Sequence, residues 1–371
     1  MLTDTSAKLL PYIKNSLDPI YDVNPTVFSP GSTKMLSLLF NRFAYAYEKW
    51  KQVCNTITIK NISNIDFDTS YYPDKIQKSV QDNIHHYYNC NFTINDRNIV
   101  VHIGTPVYYS KQKLNSIIRR IYMWLIIASF FADDKCSQSL NIFLSLTPDK
   151  KQLPEIDSDD LDRVHVNTAY TFACKQNNVI HIFREEEWFK VFIHETFHML
   201  GLDFAGMHNL DAARNVMFNR FPLKSDMEIF EAYTETWATI INACFCSHFC
   251  LKQMGKVTFV SYVEVLLGFE AAWRIFQMHK ILHFMGLVYS DLYMNSKKAR
   301  LARTNLYRED TNVFAYYIVT SLLLVNYGDF LEWCSINNGV GGHMSFHKTE
   351  ANTISFANFI VKTSDNTATK N

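Results

Sequence analysis

Neither charge is in excess in this chain: Lys+Arg and Asp+Glu each count 36, the formal net charge is zero and the pI is near 7.2. No basic run is long enough to neutralise a phosphate backbone, so a nucleic-acid partner is not expected. Long hydrophobic runs are missing too. The longest, 121–132 and 313–325, fall short of the roughly 20 residues that cross a bilayer and read as buried helices. The N-terminus lacks the charged-then-apolar layout of a secretory leader, and Asp4 comes early for a transit peptide. A cytoplasmic, intracellular protein with no membrane span is the expectation. Cysteines Cys54, Cys90, Cys136, Cys174, Cys244, Cys246, Cys250 and Cys334 are scattered rather than densely spaced, so reduced thiols are expected. No Gly-x-x-x-x-Gly-Lys-Ser/Thr loop, Gly-x-Ser-x-Gly elbow or Gly-x-Gly-x-x-Gly turn occurs, which removes support for nucleotide hydrolysis, serine hydrolysis and a dinucleotide cofactor. No internal repeat is visible.

What is present suffices for a large core: 371 residues, 48% hydrophobic and 15% aromatic. Residues 1–30, with four prolines, read as one short helix and irregular chain. Apolar spacing predicts helices over 33–54, 114–132, 257–285 and 312–325, with a shorter one near 330–336. Strands are expected at 56–60, 87–94, 98–103, 140–146, 164–173 and 179–183, the second and third forming a hairpin at Asn95-Asp96-Arg97. Residues 62–80 read as turn-rich, 152–162 as an acidic loop, and 202–224 as loop with a short amphipathic piece. Ser225-x-x-Glu228 has the form of a capping box opening a helix to about 249. Four regions follow: 1–95 a helical and irregular segment leading into a sheet, 96–201 an α+β lobe, 202–338 a helical lobe, and 339–371 a polar tail.

The α+β lobe ends in His194-Glu195-x-x-His198, on a helix expected to have Glu185, Glu186 and Glu187 in its first turn and Gly201 as its left-handed cap. Residues four apart on a helix are about 40° apart around its axis and one turn apart along it, so both imidazoles can reach one ion. That suits zinc, with Glu195 placed to take a proton from a water the metal acidifies. Core histidines bonded to backbone are the bland alternative. A catalytic zinc commonly takes three protein ligands. The extended pattern HExxHxxGxxH fails here because Phe204 fills the third ligand position; Asp203 or His208 could serve only with a different loop. The other option is Glu231, four residues before Glu235 on the next helix, with Glu235 accepting the outer N–H of a ligand histidine.

His194-Glu195-x-x-His198 followed by Glu231-x-x-x-Glu235 resembles the gluzincin branch of the zincin metallopeptidases, whose second motif is Glu-x-x-x-Asp. The resemblance implies a zincin-like fold, a mixed sheet and helices ending in the HExxH helix followed by a mostly helical lobe. It implies Zn2+ held by His194, His198 and Glu231, Glu235 holding His194, Glu195 as general base, and a peptide or protein substrate aligned on an edge strand at 164–172. The chain also resembles uncharacterised metallopeptidase-like proteins of large DNA viruses. A viral or virion-associated scaffold with the same fold and no catalysis is the alternative from another class, and hydrolysis of a non-peptide amide a third. Elsewhere, Cys244, Cys246, His248 and Cys250 read as helical core thiols rather than a metal site. His279 and His283 flank a repelling Lys280, and His85 and His86 point apart. For stabilising an oxyanion, His279, His283, His343, His347 and Tyr233 all compete.

Overall fold

Ser29 starts the first described helix, α1 (Pro30–Val53): its hydroxyl accepts the Ser32 amide, and Pro30 sits in the first turn, where no amide donor is needed. In this computed structural model residues 29–155, 159–250, 255–339 and 344–365 are described. The expectations for 1–28 and His343 lie outside them. Leu36, Leu39, Phe43, Ala46 and Trp50 recur every three or four residues along α1 and are buried; α1 packs on α3 (Lys111–Ala128), where Trp50 meets Tyr122 at 5.7 Å between rings.

Six strands form one mixed sheet in the order β1-β2-β3-β4-β6-β5: β1 (Lys60–Ile62), β2 (His86–Ile94), β3 (Arg97–Thr105), β4 (Ser139–Ser145), β5 (Ala169–Thr171) and β6 (Asn177–Ile182). Asn95 and Asp96 both take positive φ, the backbone a two-residue hairpin needs, and join β2 to β3. β3, β4 and β6 run parallel, α3 providing the crossover between the first two. β5 runs antiparallel to β6 and, among the described residues, has no strand on its other side. Val101, Ile142 and Ile180 on one face are fully buried in the main core, while the other carries a ladder of rings. His102, Phe143, His181 and Tyr170, paired strand to strand, stack at centroid distances of 4.5, 4.5 and 4.7 Å.

Several boundaries differ from the sequence reading. The strand expected at 56–60 is β1, beginning only at Lys60, and the turn-rich stretch contains α2 (Asp74–Asn83). The long edge strand expected at 164–172 is reduced to β5, because the Asp162 carboxylate accepts the Val164 amide and starts a helical turn, Arg163–Val166. α1, β1 and β2 belong to the α+β body rather than to a separate leading segment.

Beyond the sheet come α4 (Trp188–Met199), α5 (Asp211–Arg220), α6 (Ile229–Cys250), α7 (Lys256–Phe284) and α8 (Lys297–Leu306). A π-helical turn, Phe314–Val319, runs straight into α9 (Thr320–Val325), followed by α10 (Tyr327–Asn337) and α11 (Glu350–Thr363). The 339–371 region is therefore not simply a polar tail: α11 buries Phe356 and Ile360 and packs on α5. The capping box at Ser225 does not form either. Met227 takes a φ of 52°, Glu228 pairs with Arg214, and α6 begins at Ile229, which moves Glu231 into the first turn. The architecture is α+β, and among the described residues no single helix is long and apolar enough to cross a membrane.

The cysteines depart from expectation. Cys136 and Cys174 form a disulfide, with Cα atoms 4.6 Å apart, because the loops before β4 and after β5 meet at the end of α4. There the Cys174 amide donates to the His198 carbonyl at 3.2 Å, and the Ser137 hydroxyl to that of Met199 at 3.1 Å. Cys244, Cys246, His248 and Cys250 stay on helix α6 and form no metal-binding group among the described residues, but only Cys244 is a core thiol: Cys246 and Cys250 lie on the exposed face of the helix.

Candidate metal centre

Helix α4 is buried on every side from Phe189 to Met199, so its polar residues must find partners inside the protein. It begins later than the sequence suggested. Glu187 occupies the N-cap with a φ of 56°, and Glu185 and Glu186 precede the helix, bonding Tyr109 and Lys113 in one case and the Lys151 amide in the other. Gly201 at φ 64° ends it as expected, a position where a side chain would be strained. α6 packs across α4 and presents Glu231 and Glu235 to the histidines.

Three atoms converge. His194 Nε2 and His198 Nε2 lie 3.1 Å apart, and Glu231 Oε2 is 3.1 Å from the first and 3.3 Å from the second. Behind each imidazole is a carboxylate: Glu235 Oε2 accepts from His194 Nδ1 at 3.0 Å, and Asp203 accepts from His198 Nδ1. A carboxylate facing Nδ1 puts the neutral ring's proton there and leaves the Nε2 lone pair pointing inward. Two imidazole nitrogens and a carboxylate oxygen then face one another, acceptors that a metal ion between them, or protons on the rings, would reconcile. Donors at about 2.0–2.1 Å from a tetrahedral ion are roughly 3.3–3.4 Å apart, close to the edges seen here. His194, His198 and Glu231 can hold a metal ion, and they are the only such group among the described residues.

Around this trio lie residues that the sequence did not point to. The Tyr316 hydroxyl donates to Glu231 Oε2 at 3.0 Å and Asn312 Nδ2 to Oε1 at 3.3 Å, both carried by the segment at the π turn. Lys190, one turn before His194, and Arg274 of α7 both contact Glu235 Oε1. Asp203 is not a ligand: it bonds the far nitrogen of His198 and accepts from Thr234 at 3.3 Å. His208 is exposed elsewhere, as are His279, His283 and His347, while Tyr233 is fully buried and donates to the Met344 carbonyl at 2.6 Å.

Electrostatics in the metal-free protein follow from this packing. Burial disfavours the charged form of His194, but hydrogen bonds to Glu231 and Glu235 outweigh it and raise its pKa to about 9. For His198 burial is likewise overcome, chiefly by Asp203 and Glu231, and the shift is upward. Burial acts on Glu231 too, yet the imidazoles hold its carboxyl well below the usual range. Glu195, 8% exposed, goes the other way: desolvation raises it, and Glu231 and Glu235 add to that against the two histidines.

His194, raised from 6.5 to about 9, stabilises the metal-free fold fully below pH 6.5 and loses that contribution as pH rises through about 9. A metal ion competes with those same protons and binds better as they leave. The gap in Tm between metal-saturated and chelator-treated protein should therefore widen from pH 6.5 towards about 9; calorimetry showing a constant or shrinking gap would contradict the assignment.

The cleft above the trio has two pockets that share Asn167, Ala169, His194, Glu195 and Tyr316. One lies towards α7 with room for about 190 Å³; the other opens past Tyr71, Tyr170 and Asp310. Edge strand β5 borders both. No family model matches this chain, and neither a curated protein nor a solved structure does.

Proposed function

We propose that the chain is a zinc-dependent metallopeptidase with a gluzincin-like site and a zincin-like fold. The observation that carries this reading is the meeting of two imidazole lone pairs and one carboxylate oxygen in a cleft, each imidazole braced from behind by a carboxylate. Zinc bound there would polarise a substrate carbonyl and acidify a water.

Glu195 has no hydrogen-bond partner among the described residues and lines both pockets, where its carboxylate would accept a proton from such a water and return it to a leaving amine. Tyr316, rather than Tyr233 or His347, is the phenol that can turn from Glu231 to a developing oxyanion. The outer edge of β5, unpaired among the described residues, would offer its backbone to an extended peptide. Glu235 replaces the aspartate of the gluzincin pattern, and its extra methylene lets one carboxylate reach His194 with one oxygen and both Lys190 and Arg274 with the other.

Purified protein should contain zinc by elemental analysis and degrade an unstructured test protein. o-Phenanthroline should abolish the cleavage and added zinc restore it, whereas His194→Ala should retain no zinc. Cleavage indifferent to the chelator, or protein that takes up no metal, overturns the reading.

A further inference from the structure

The C-terminal end of α4 is enclosed by a cluster that takes no part in holding the ion. A Cβ on Gly201 would lie 3.3 Å from Lys348 Nζ and 3.5 Å from both Cys136 Sγ and Cys174 Cβ, so an ammonium and a disulfide converge over this one residue. Lys348 pairs directly with no carboxylate among the described residues. Partial burial disfavours its charge, while Asp203, which braces His198, and Asp133 favour it.

The two sulfurs differ in access. Cys136 is 1% exposed, and Arg97 Nε donates to its carbonyl at 3.2 Å. Cys174 is half-buried between exposed Ala173 and Lys175. Cys174 and Ser137 hold φ values of 39° and 54°, which residues with a Cβ rarely take. An attacking thiolate reaches Cys174 Sγ more readily, and the sulfur that then leaves with the negative charge, that of Cys136, lies by the Lys348 ammonium.

The same loops finish the metal-binding helix, through the Cys174 amide on the His198 carbonyl and the Ser137 hydroxyl on that of Met199. Opening the disulfide leaves other ties in place: the Ser137 amide donates to the Lys175 carbonyl at 2.7 Å and Gln176 Nε2 to Gln138 Oε1 at 2.8 Å. The loops then stay together while Cys174 is free to leave its positive φ, and its amide to leave the His198 carbonyl.

We propose that Cys136–Cys174 is a reversible redox site that governs metal affinity: a dithiol opens it, and the loosened end of α4 holds His198 less firmly for the ion. One thiolate of the dithiol bonds to Cys174 Sγ as the bond to Cys136 breaks, and Cys136 departs as a thiolate. The second thiol of the reductant, deprotonated, then displaces Cys174. The dithiol ends as a disulfide and both cysteines as thiols, two electrons and two protons having passed to the protein. This rests on the metal centre read above and adds a control on it.

The test equilibrates zinc-free wild-type protein with mixtures of reduced and oxidised dithiothreitol and follows Cys136 and Cys174 by alkylation and mass spectrometry. After the reagent is removed without air, zinc affinity is measured against a chelating dye. The pair should open while far-UV circular dichroism is unchanged, and zinc affinity should fall about tenfold, as when a ligand histidine loses support, and return on reoxidation. Cys174→Ser and Cys136→Ser should each show the lower affinity in either state, which separates this pair from the six free cysteines. Lys348→Gln should slow opening about three- to tenfold, and Lys348→Arg should restore the rate. Equal zinc affinity in both states, or opening only as the fold is lost, overturns the proposal and leaves the metal centre standing. Zinc bound in neither state removes the metal centre itself and the control with it, however the disulfide behaves.

Discussion

Replacing Glu195 by glutamine should leave zinc bound and lower the rate of peptide hydrolysis by about 10²–10⁴-fold, the usual contribution of a positioned general base. Both halves of that outcome follow from where Glu195 sits. It is outside the converging trio, so its loss removes no metal ligand. Its carboxylate lines the cleft without a protein partner among the described residues, so both oxygens are free to accept a proton. Glutamine keeps the shape and cannot accept the proton. Elemental analysis beside initial rates checks both; loss of zinc, or a rate within a few-fold of wild type, would remove Glu195 from the mechanism.

Removing Glu235 should hit the fold itself. Its carboxylate is the shared counterion of Lys190 and Arg274, and all three side chains are at most 10% exposed. Burial opposes its charge, yet Lys190, Arg274 and His194 hold its pKa far below normal. Breaking a buried ion pair by deleting one partner typically costs about 3–5 kcal/mol, since the remaining charge is left uncompensated, and here two cations remain. Glu235→Ala should therefore unfold at markedly lower denaturant concentration, and zinc affinity should fall about 10- to 100-fold as His194 loses its brace. Since the depressed pKa makes this contribution present above about pH 4.5 and lost below it, the difference in stability between wild type and variant should shrink in acid. Chemical denaturation at neutral and acid pH measures it, and a variant as stable as wild type at neutral pH would show that the network adds no net stability.

Much of the candidate metal site was legible because helical spacing carries three-dimensional information. His194 and His198, like Glu231 and Glu235, are four apart, and a helix puts each pair on one face whatever surrounds it. Asp203 was visible as a candidate but not in its role, because which nitrogen of His198 it meets depends on the turn after Gly201. Tyr316, Asn312, Lys190 and Arg274 were not legible. Three of them come from segments far along the chain, and the π turn that aims Tyr316 has no periodic signature that distinguishes it from an α-helix. The edge strand was placed correctly but drawn too long, since one hydrogen bond from the Asp162 side chain is enough to divert residues 163–166 into a helical turn. The Cys136–Cys174 link escaped for a similar reason: pairing depends on which loops meet, and a separation of 38 residues says nothing of that.

The wide turn at Phe314–Val319 has a further consequence. The Thr320 amide reaches back five residues to Ala315, so the turn holds one residue more than an α-helix would. Loss of a single codon between 317 and 319 would let it close to ordinary pitch, and since six residues of such a wide turn sweep roughly the angle of five α-helical ones, α9 and the chain before Phe314 would keep their faces. Only the side chains within the turn, Tyr316 among them, would be re-aimed, so the seating of the flanking chain is separable from the aim of one phenol at Glu231.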